Sequence, residues 1–247
     1  MAVVFSAQIA DKCFRVSCCF ESTRALCGDY LVEDGCPDLT IHITPEDLLR
    51  ERQLLPQQEK GASDSAVESL VLCRRIAEWL PYQDRILFHG SSLAFDGNGV
   101  LFTAKSGTGK STHTRFWREV FGDRVQMVND DKPFLHIRDD GVTVYGTPWR
   151  GKHRLGSNMS APLKAICFVC RGEENKIEPV SPRELYALLL QQTYAPRNPG
   201  MMAATLGLVD RLSRGVQLYR LTCNLDPQAA ATACSGIFPN MRNEDTL

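Results

Sequence analysis

The first forty residues alternate short apolar runs with turn signals. Residues 3–8, 14–20 and 39–43 carry β-branched and aromatic side chains, the signature of short strands. Thr44-Pro45-Glu46-Asp47 then reads as a helix start, with Thr44 as cap and acids in the first turn. Residues 55–64 are polar and contain proline and glycine, which predicts a linker. Between 65 and 80, apolar side chains at 67, 70, 71, 76, 77 and 80 recur at helical spacing.

Further along, 85–89, 91–95 and 100–103 read as strands, the last two joined across Asp96-Gly97-Asn98-Gly99 as a hairpin. A helical pattern runs from 110 to 120. Strands follow at 125–128, 134–137 and 142–146, the last two linked at Asp140-Gly141. The unbroken apolar run 165–170 suits a strand buried on both faces. Helices are predicted at 182–193, 200–213 and 227–237, with a strand at 216–222 and a polar stretch over the final ten residues. Strands and helices in this order predict an α/β protein.

Composition narrows the class. The chain has 247 residues, 43% hydrophobic and 23% charged, as expected of a globular protein with a full core. The net charge of −1 and the lack of a long basic run argue against a nucleic-acid partner. No apolar stretch reaches the length of a membrane span, and the first residues lack the charged start of a signal peptide, so the cytoplasm is the expected location. The ten cysteines show no regular zinc spacing. Cys167 and Cys170 would point to opposite faces of a strand, and reduced buried thiols are the expectation.

The most specific chemistry lies at 104–112, Ala-Lys-Ser-Gly-Thr-Gly-Lys-Ser-Thr, between a predicted strand and a predicted helix. Gly107 and Gly109 let the backbone curl so that amides between Ser106 and Thr112 point inward, leaving room for phosphate oxygens. The helix N-terminus adds positive potential. Within this loop Ser106, Gly107, Thr108, Gly109, Lys110, Ser111 and Thr112 are the candidate nucleotide ligands. Lys110 is placed to reach the β- and γ-phosphates, and Ser111 to offer its hydroxyl to magnesium. Ala104 stands where the strict pattern has glycine. A second signal is the strand 125–128 ending in Asn129-Asp130-Asp131. Paired carboxylates there can hold a magnesium ion and accept the proton of an attacking hydroxyl. His89, ahead of Gly90, could assist proton transfer or orient a carboxylate. The basic segment 149–154 brings Arg150 as a candidate for stabilising transferred charge.

His89-Gly90, the hairpin glycines 97 and 99, the loop 106–111 and the strand ending in Asp130-Asp131 occur in an order that resembles the HPr kinase/phosphorylase catalytic domain and the related ATP-dependent phosphoenolpyruvate carboxykinases. The resemblance covers residues 85–170. It implies an α/β fold with a P-loop carboxykinase/HPr kinase-like core of mixed, strongly twisted sheets, preceded by a small β-rich N-terminal region. The expected division is 1–62 for that region, 63–237 for the catalytic domain and 238–247 for a polar tail. By the same likeness, ATP and Mg²⁺ are the cofactors and Lys110 binds the β/γ-phosphates. Ser111 and Asp131 face the metal, and Asp130, near His89, is the candidate base, a pair of roles that could be exchanged. The family's Arg-Gly step is echoed by Arg150-Gly151 in a more basic stretch. The expected activity is phosphorylation of a hydroxyl, serine of a small protein or peptide. A small carboxykinase-like enzyme acting on an organic acid and a non-catalytic nucleotide-binding module are the alternatives. No membrane partner is expected, and a homo-oligomer stays open.

Overall fold

Strand β1 (Val3–Ile9) turns through Ala10 and Asp11, both at positive φ, into the antiparallel β2 (Lys12–Cys18). Two consecutive left-handed residues match the twist of the flanking strands, which is why so short a reversal closes without glycine. In this computed structural model, residues 2–33, 35–105 and 107–239 are described; Ser106 and most of the predicted tail, 240–247, lie outside them. The chain divides into two compact units, Met1–Leu80 and Pro81–Leu247.

The first unit holds a four-stranded sheet. Its order is β3-β1-β2-β4, with β3 spanning Leu31–Val32 and β4 Leu39–His42, the latter parallel to β2. Helix α1 (Glu21–Cys27) occupies a segment for which the sequence predicted nothing, and Phe20, expected inside a strand, is its N-cap. A tertiary contact explains this. The buried Glu68 carboxylate accepts from the amides of Cys19 (2.6 Å) and Phe20 (3.0 Å) and from the Thr23 hydroxyl (2.6 Å), so a remote acid satisfies donors at the start of α1. Helix α2 (Pro45–Leu54) starts in a capping box formed by Thr44 and Asp47, as expected. Helix α3 (Asp64–Trp79) packs on α2, where Arg74 forks onto the buried Glu51 with two 2.7 Å bonds. The units therefore divide after Leu80, not at residue 62, because α3 shares its buried face with the elements before the polar segment.

The second unit is built on one mixed sheet. In chain order its elements are β5 (Arg85–Leu87), β6 (Ser91–Phe95), β7 (Asn98–Thr103), α4 (Lys110–Phe121), β8 (Val125–Asn129), β9 (Phe134–Arg138) and β10 (Gly141–Tyr145). There follow β11 (Ser160–Arg171), β12 (Lys176–Pro179), α5 (Pro182–Gln192), α6 (Pro199–Gly215), β13 (Gln217–Cys223) and α7 (Gln228–Ile237). The sheet runs β5-β9-β10-β11-β7-β6-β8, with β13 also beside β11 and β12 on its far side. Long β11 makes this possible: residues 160–162 pair with β10, and from Ala165 onward the same edge pairs in parallel with β13. The turn from β9 to β10 is Asp139-Asp140, since Arg138 pairs with Gly141, one residue earlier than predicted. β12 was not predicted; its Lys176-Ile177-Glu178-Pro179 is short and largely exposed.

Both faces of this sheet are covered. Val100 and Phe102 pack with α4 and α7, whereas Leu101 between them packs with α5 and α6. The same alternation divides Ala165, Cys167 and Val169 from Ile166 and Phe168. That double burial is why the run 165–170 is apolar throughout. Cys167 is buried and Cys170 exposed, on opposite faces as expected, and all ten cysteines are free. Burial pushes the Cys18 and Cys27 thiols up to about 12, so they act as small apolar side chains and not as nucleophiles. No described helix is long and apolar enough to cross a membrane.

His113 on α4 is a core histidine. Its Nε2 accepts from Trp117 Nε1 at 3.0 Å, its ring lies 4.6 Å from that of Phe102, and burial lowers its pKa to about 4. The unfolded chain takes up this proton near pH 6.5, so between 6.5 and 4 it binds more protons than the folded one. Stability is thus full above pH 6.5 and falls as the pH drops towards 4, by an expected ~3 kcal/mol. Urea melts of the wild type and His113→Phe across that window would measure it. The variant should lose this part of the acid sensitivity, and an unchanged slope would assign the sensitivity elsewhere.

Candidate active site at one edge of the sheet

The topology brings the three sequence signals together. β7 and β8 each pair antiparallel with β6, one on either side, so they run in the same direction and end at the same edge. The loop after β7 and the acids after β8 are therefore two strand spacings apart, ~10 Å. His89-Gly90 leads into β6 between them. Backbone bonds tie the segments: Gly90 N donates to Asp131 O (3.0 Å), and the Thr103 hydroxyl to His89 O (2.9 Å). A Cβ at Gly90 would meet Leu101 Cδ2 at 2.8 Å and Phe102 O at 3.0 Å, so only glycine lets this segment lie so close to β7.

Two glycines shape the loop. Gly107 and Gly109 stand at φ 78° and 121°, and a Cβ at either would meet nothing within 4 Å. Glycine is required there by conformation, and the space above the loop is open to receive a ligand. Helix α4 starts immediately, His113 N closing its first turn onto Gly109 O at 2.9 Å. Lys110 Nζ donates to Ala104 O at 3.0 Å; burial lowers its pKa, with Asp131 nearby opposing that shift. The Thr108 hydroxyl turns back to Lys105 O (2.8 Å), while Ser111 and Thr112 lie half-buried on the first turn. Ser106 is outside the described residues. One residue missed by sequence reasoning braces the loop. Arg171, at the end of β11, donates to Gly107 O (2.5 Å) and Thr108 O (3.3 Å). A cation closing a buried strand parallel to β7 was the available signal.

The acids are set by Asn129, also missed. Wholly buried, it accepts with Oδ1 from the amides of Asp131 (2.9 Å) and Lys132 (2.7 Å) and donates with Nδ2 to both oxygens of Thr147 (3.1 Å each). The turn carrying both aspartates is thereby fixed to the segment after β10. Asn129→Ala would leave two amides without their acceptor, at an expected cost of about 2–4 kcal/mol. A fall of that size in the urea-unfolding free energy is the check, and a neutral variant would remove Asn129 as the anchor of the turn.

The two aspartates face different neighbours. Asp130, buried, accepts from Gly151 N at 2.5 Å, and a Cβ at Gly151 would stand 3.0 Å from that carboxylate. Burial, which outweighs the Gly151 bond, raises its pKa, and Asp131 adds to the rise. Asp131 is contacted by Lys132 Nζ and lies 3.6 Å from His89 Nε2. His89 thus neighbours Asp131, not Asp130 as expected. Burial and then the Lys110 charge push its imidazole below the ordinary range, with Asp131 opposing, so the ring is neutral at pH 7. In the basic segment, Trp149 is buried against Phe134, Arg150 is half-buried with its side chain beside Gly156, and His153 is exposed.

A cavity of about 540 Å³ opens beside the loop, lined by Gly107, Gly109, Thr112, Phe116, Val169 and Leu225. Its mixed lining and size suit a nucleoside. Among the described residues no group of three His, Cys, Asp or Glu side chains forms a metal cluster. The Ser111 hydroxyl and Asp131 carboxylate are nevertheless the hard oxygen donors that magnesium takes together with substrate phosphates. The residues present fit a magnesium nucleotide.

No protein-family model matches the chain, and no curated protein matches it in sequence. Among solved structures it is similar to the HPr(Ser) kinase/phosphatase from Coxiella burnetii, at 13% identity and a TM-score of 0.34, over 61% of this chain and 95% of that one.

Proposed function

We propose that the chain is an ATP- and magnesium-dependent phosphotransferase that phosphorylates a hydroxyl, that of serine in a small protein or peptide. One observation carries the reading. A positive-φ glycine loop opening onto α4, with Lys110, and an aspartate pair on a fixed turn meet at the same sheet edge. A nucleotide sensor needs the loop, but it has no use for a buried carboxylate of raised pKa beside it.

Each residue has a task. Amides 107–111 and Lys110 hold the β- and γ-phosphates and balance the charge that develops as the terminal group leaves. Ser111 and Asp131 would hold magnesium, which when bound neutralises phosphate charge. Asp130 takes the proton of the acceptor hydroxyl as its oxygen bonds to the γ-phosphorus and the bond to the bridging oxygen of the leaving ADP breaks. The raised pKa makes Asp130 a stronger base than an ordinary aspartate. The neutral His89 ring orients Asp131.

The test is incubation with γ-labelled ATP, magnesium and serine peptides, alongside oxaloacetate. Label on serine is the expected result. Phosphoenolpyruvate formed from oxaloacetate would replace this reading with a carboxykinase-like activity, and tight ATP binding without transfer would leave a nucleotide-binding module.

A further inference from the structure

A second cavity, of about 400 Å³, lies on another face of α4, lined by Ser111, Thr112, Arg115, Arg118, His153 and Leu155. Positions 111, 115 and 118 follow i, i+4, i+7 and form one stripe of the helix, whereas 109, 112 and 116, which line the nucleoside-sized cavity, lie about a third of a turn away. The two cavities share Thr112 and the start of the helix, so a ligand in each would meet near Ser111.

The charge in this cavity is one-sided. Arg115 is 3.5 Å from Glu119, one turn along the helix, with both side chains exposed. Arg118 has no such relief: its Nε is buried without a hydrogen bond, and among the described residues no carboxylate pairs with it. A buried guanidinium N–H lacking an acceptor is costly unless a ligand supplies one. His153 adds a third donor, on the segment whose Gly151 amide holds Asp130.

We propose that this cavity receives a carboxylate of the phosphoryl acceptor, held by Arg118 with Arg115 and His153. The inference rests on the phosphotransfer reading and names the chemistry of its substrate. The cavity beside the glycine loop takes the nucleoside end of ATP, so the basic cavity is left for the other substrate, next to the metal-facing Ser111 and the loop that holds the base. A planar fork matches a carboxylate with paired hydrogen bonds.

Binding of fluorescein-labelled serine peptides to the full chain, saturated with magnesium and a non-hydrolysable ATP analogue, tests this. A peptide with glutamates flanking the serine should bind at least about tenfold more tightly than its glutamine counterpart. Arg118→Gln should abolish that preference and leave affinity for the analogue within about twofold, while Arg118→Lys, keeping charge without the fork, should fall between. Succinate displacing the glutamate peptide from the wild type would indicate that a free small acid satisfies the site; no displacement would indicate that the carboxylate must belong to a peptide. Equal binding of the two peptides, no binding of either, or a loss confined to the nucleotide analogue in Arg118→Gln would overturn the proposal. The phosphotransfer reading fails separately, if glutamate-peptide binding depends on Arg118 but no phosphoserine forms with ATP.

Discussion

Lys110→Ala is expected to reduce phosphoryl transfer to serine about a thousandfold while leaving the fold unchanged. The side chain is half-buried at the start of α4, where its ammonium group donates to Ala104 O at 3.0 Å and lies within electrostatic reach of Asp131 and His89. Removing it deletes a partly desolvated charge from the place where negative charge develops, and such a charge acts more strongly there than in water. The folded state loses a single hydrogen bond, the one to Ala104 O, and the expected stability change is within about 1 kcal/mol. Initial rates with labelled ATP, paired with a thermal melt, separate the two effects. The expected pattern is a lost rate and an unmoved midpoint. A variant that keeps a tenth or more of the rate would remove the 104–112 loop from the reaction.

How far the sequence foretold this site depends on the kind of interaction. The loop, α4 and the strand before the acids were legible because each is encoded locally: glycines at positive φ, a helical apolar stripe, an apolar run. That 104–109 and 130–131 meet was inferable only in part, since it follows from β7 and β8 flanking β6, a pairing order that residue patterns do not state. Asn129 and Arg171 were missed for the same reason. Their work is done on Thr147, 18 residues away, and on Gly107, 64 residues away. Helix α1 was missed because its stability depends on Glu68, 48 residues from Phe20, and its seven residues bury only Thr23 and Cys27. His89 was expected beside Asp130 and lies instead 3.6 Å from Asp131. Neighbouring residues on a tight turn project in different directions, and partners such as Gly151 N for Asp130 and Lys132 for Asp131 decide which way each points.

Asp130→Asn is the sharper test of chemistry, because it separates catalysis from both stability and nucleotide binding. The asparagine oxygen can still accept from Gly151 N, so the turn should persist. In the wild type, burial raises the folded-state pKa above that of the unfolded chain. The ionised carboxylate therefore costs stability, and that cost grows as the pH rises through the folded pKa. An amide carries no such cost, so at pH 7 the variant should be at least as stable as the wild type. The rate should move the other way. A base must be ionised to accept a proton, so wild-type kcat/KM should rise with pH through a pKa above the ordinary aspartate range. The variant should lose that limb together with about two to four orders of magnitude in kcat. Affinity for ATP should change little, whereas Asp131→Asn, altering the acid proposed to hold magnesium, should raise the magnesium requirement instead. A near-wild-type kcat in Asp130→Asn would exclude Asp130 as the base. Were Asp131→Asn then to show the missing acid limb, the two aspartates would exchange roles within an otherwise unchanged site.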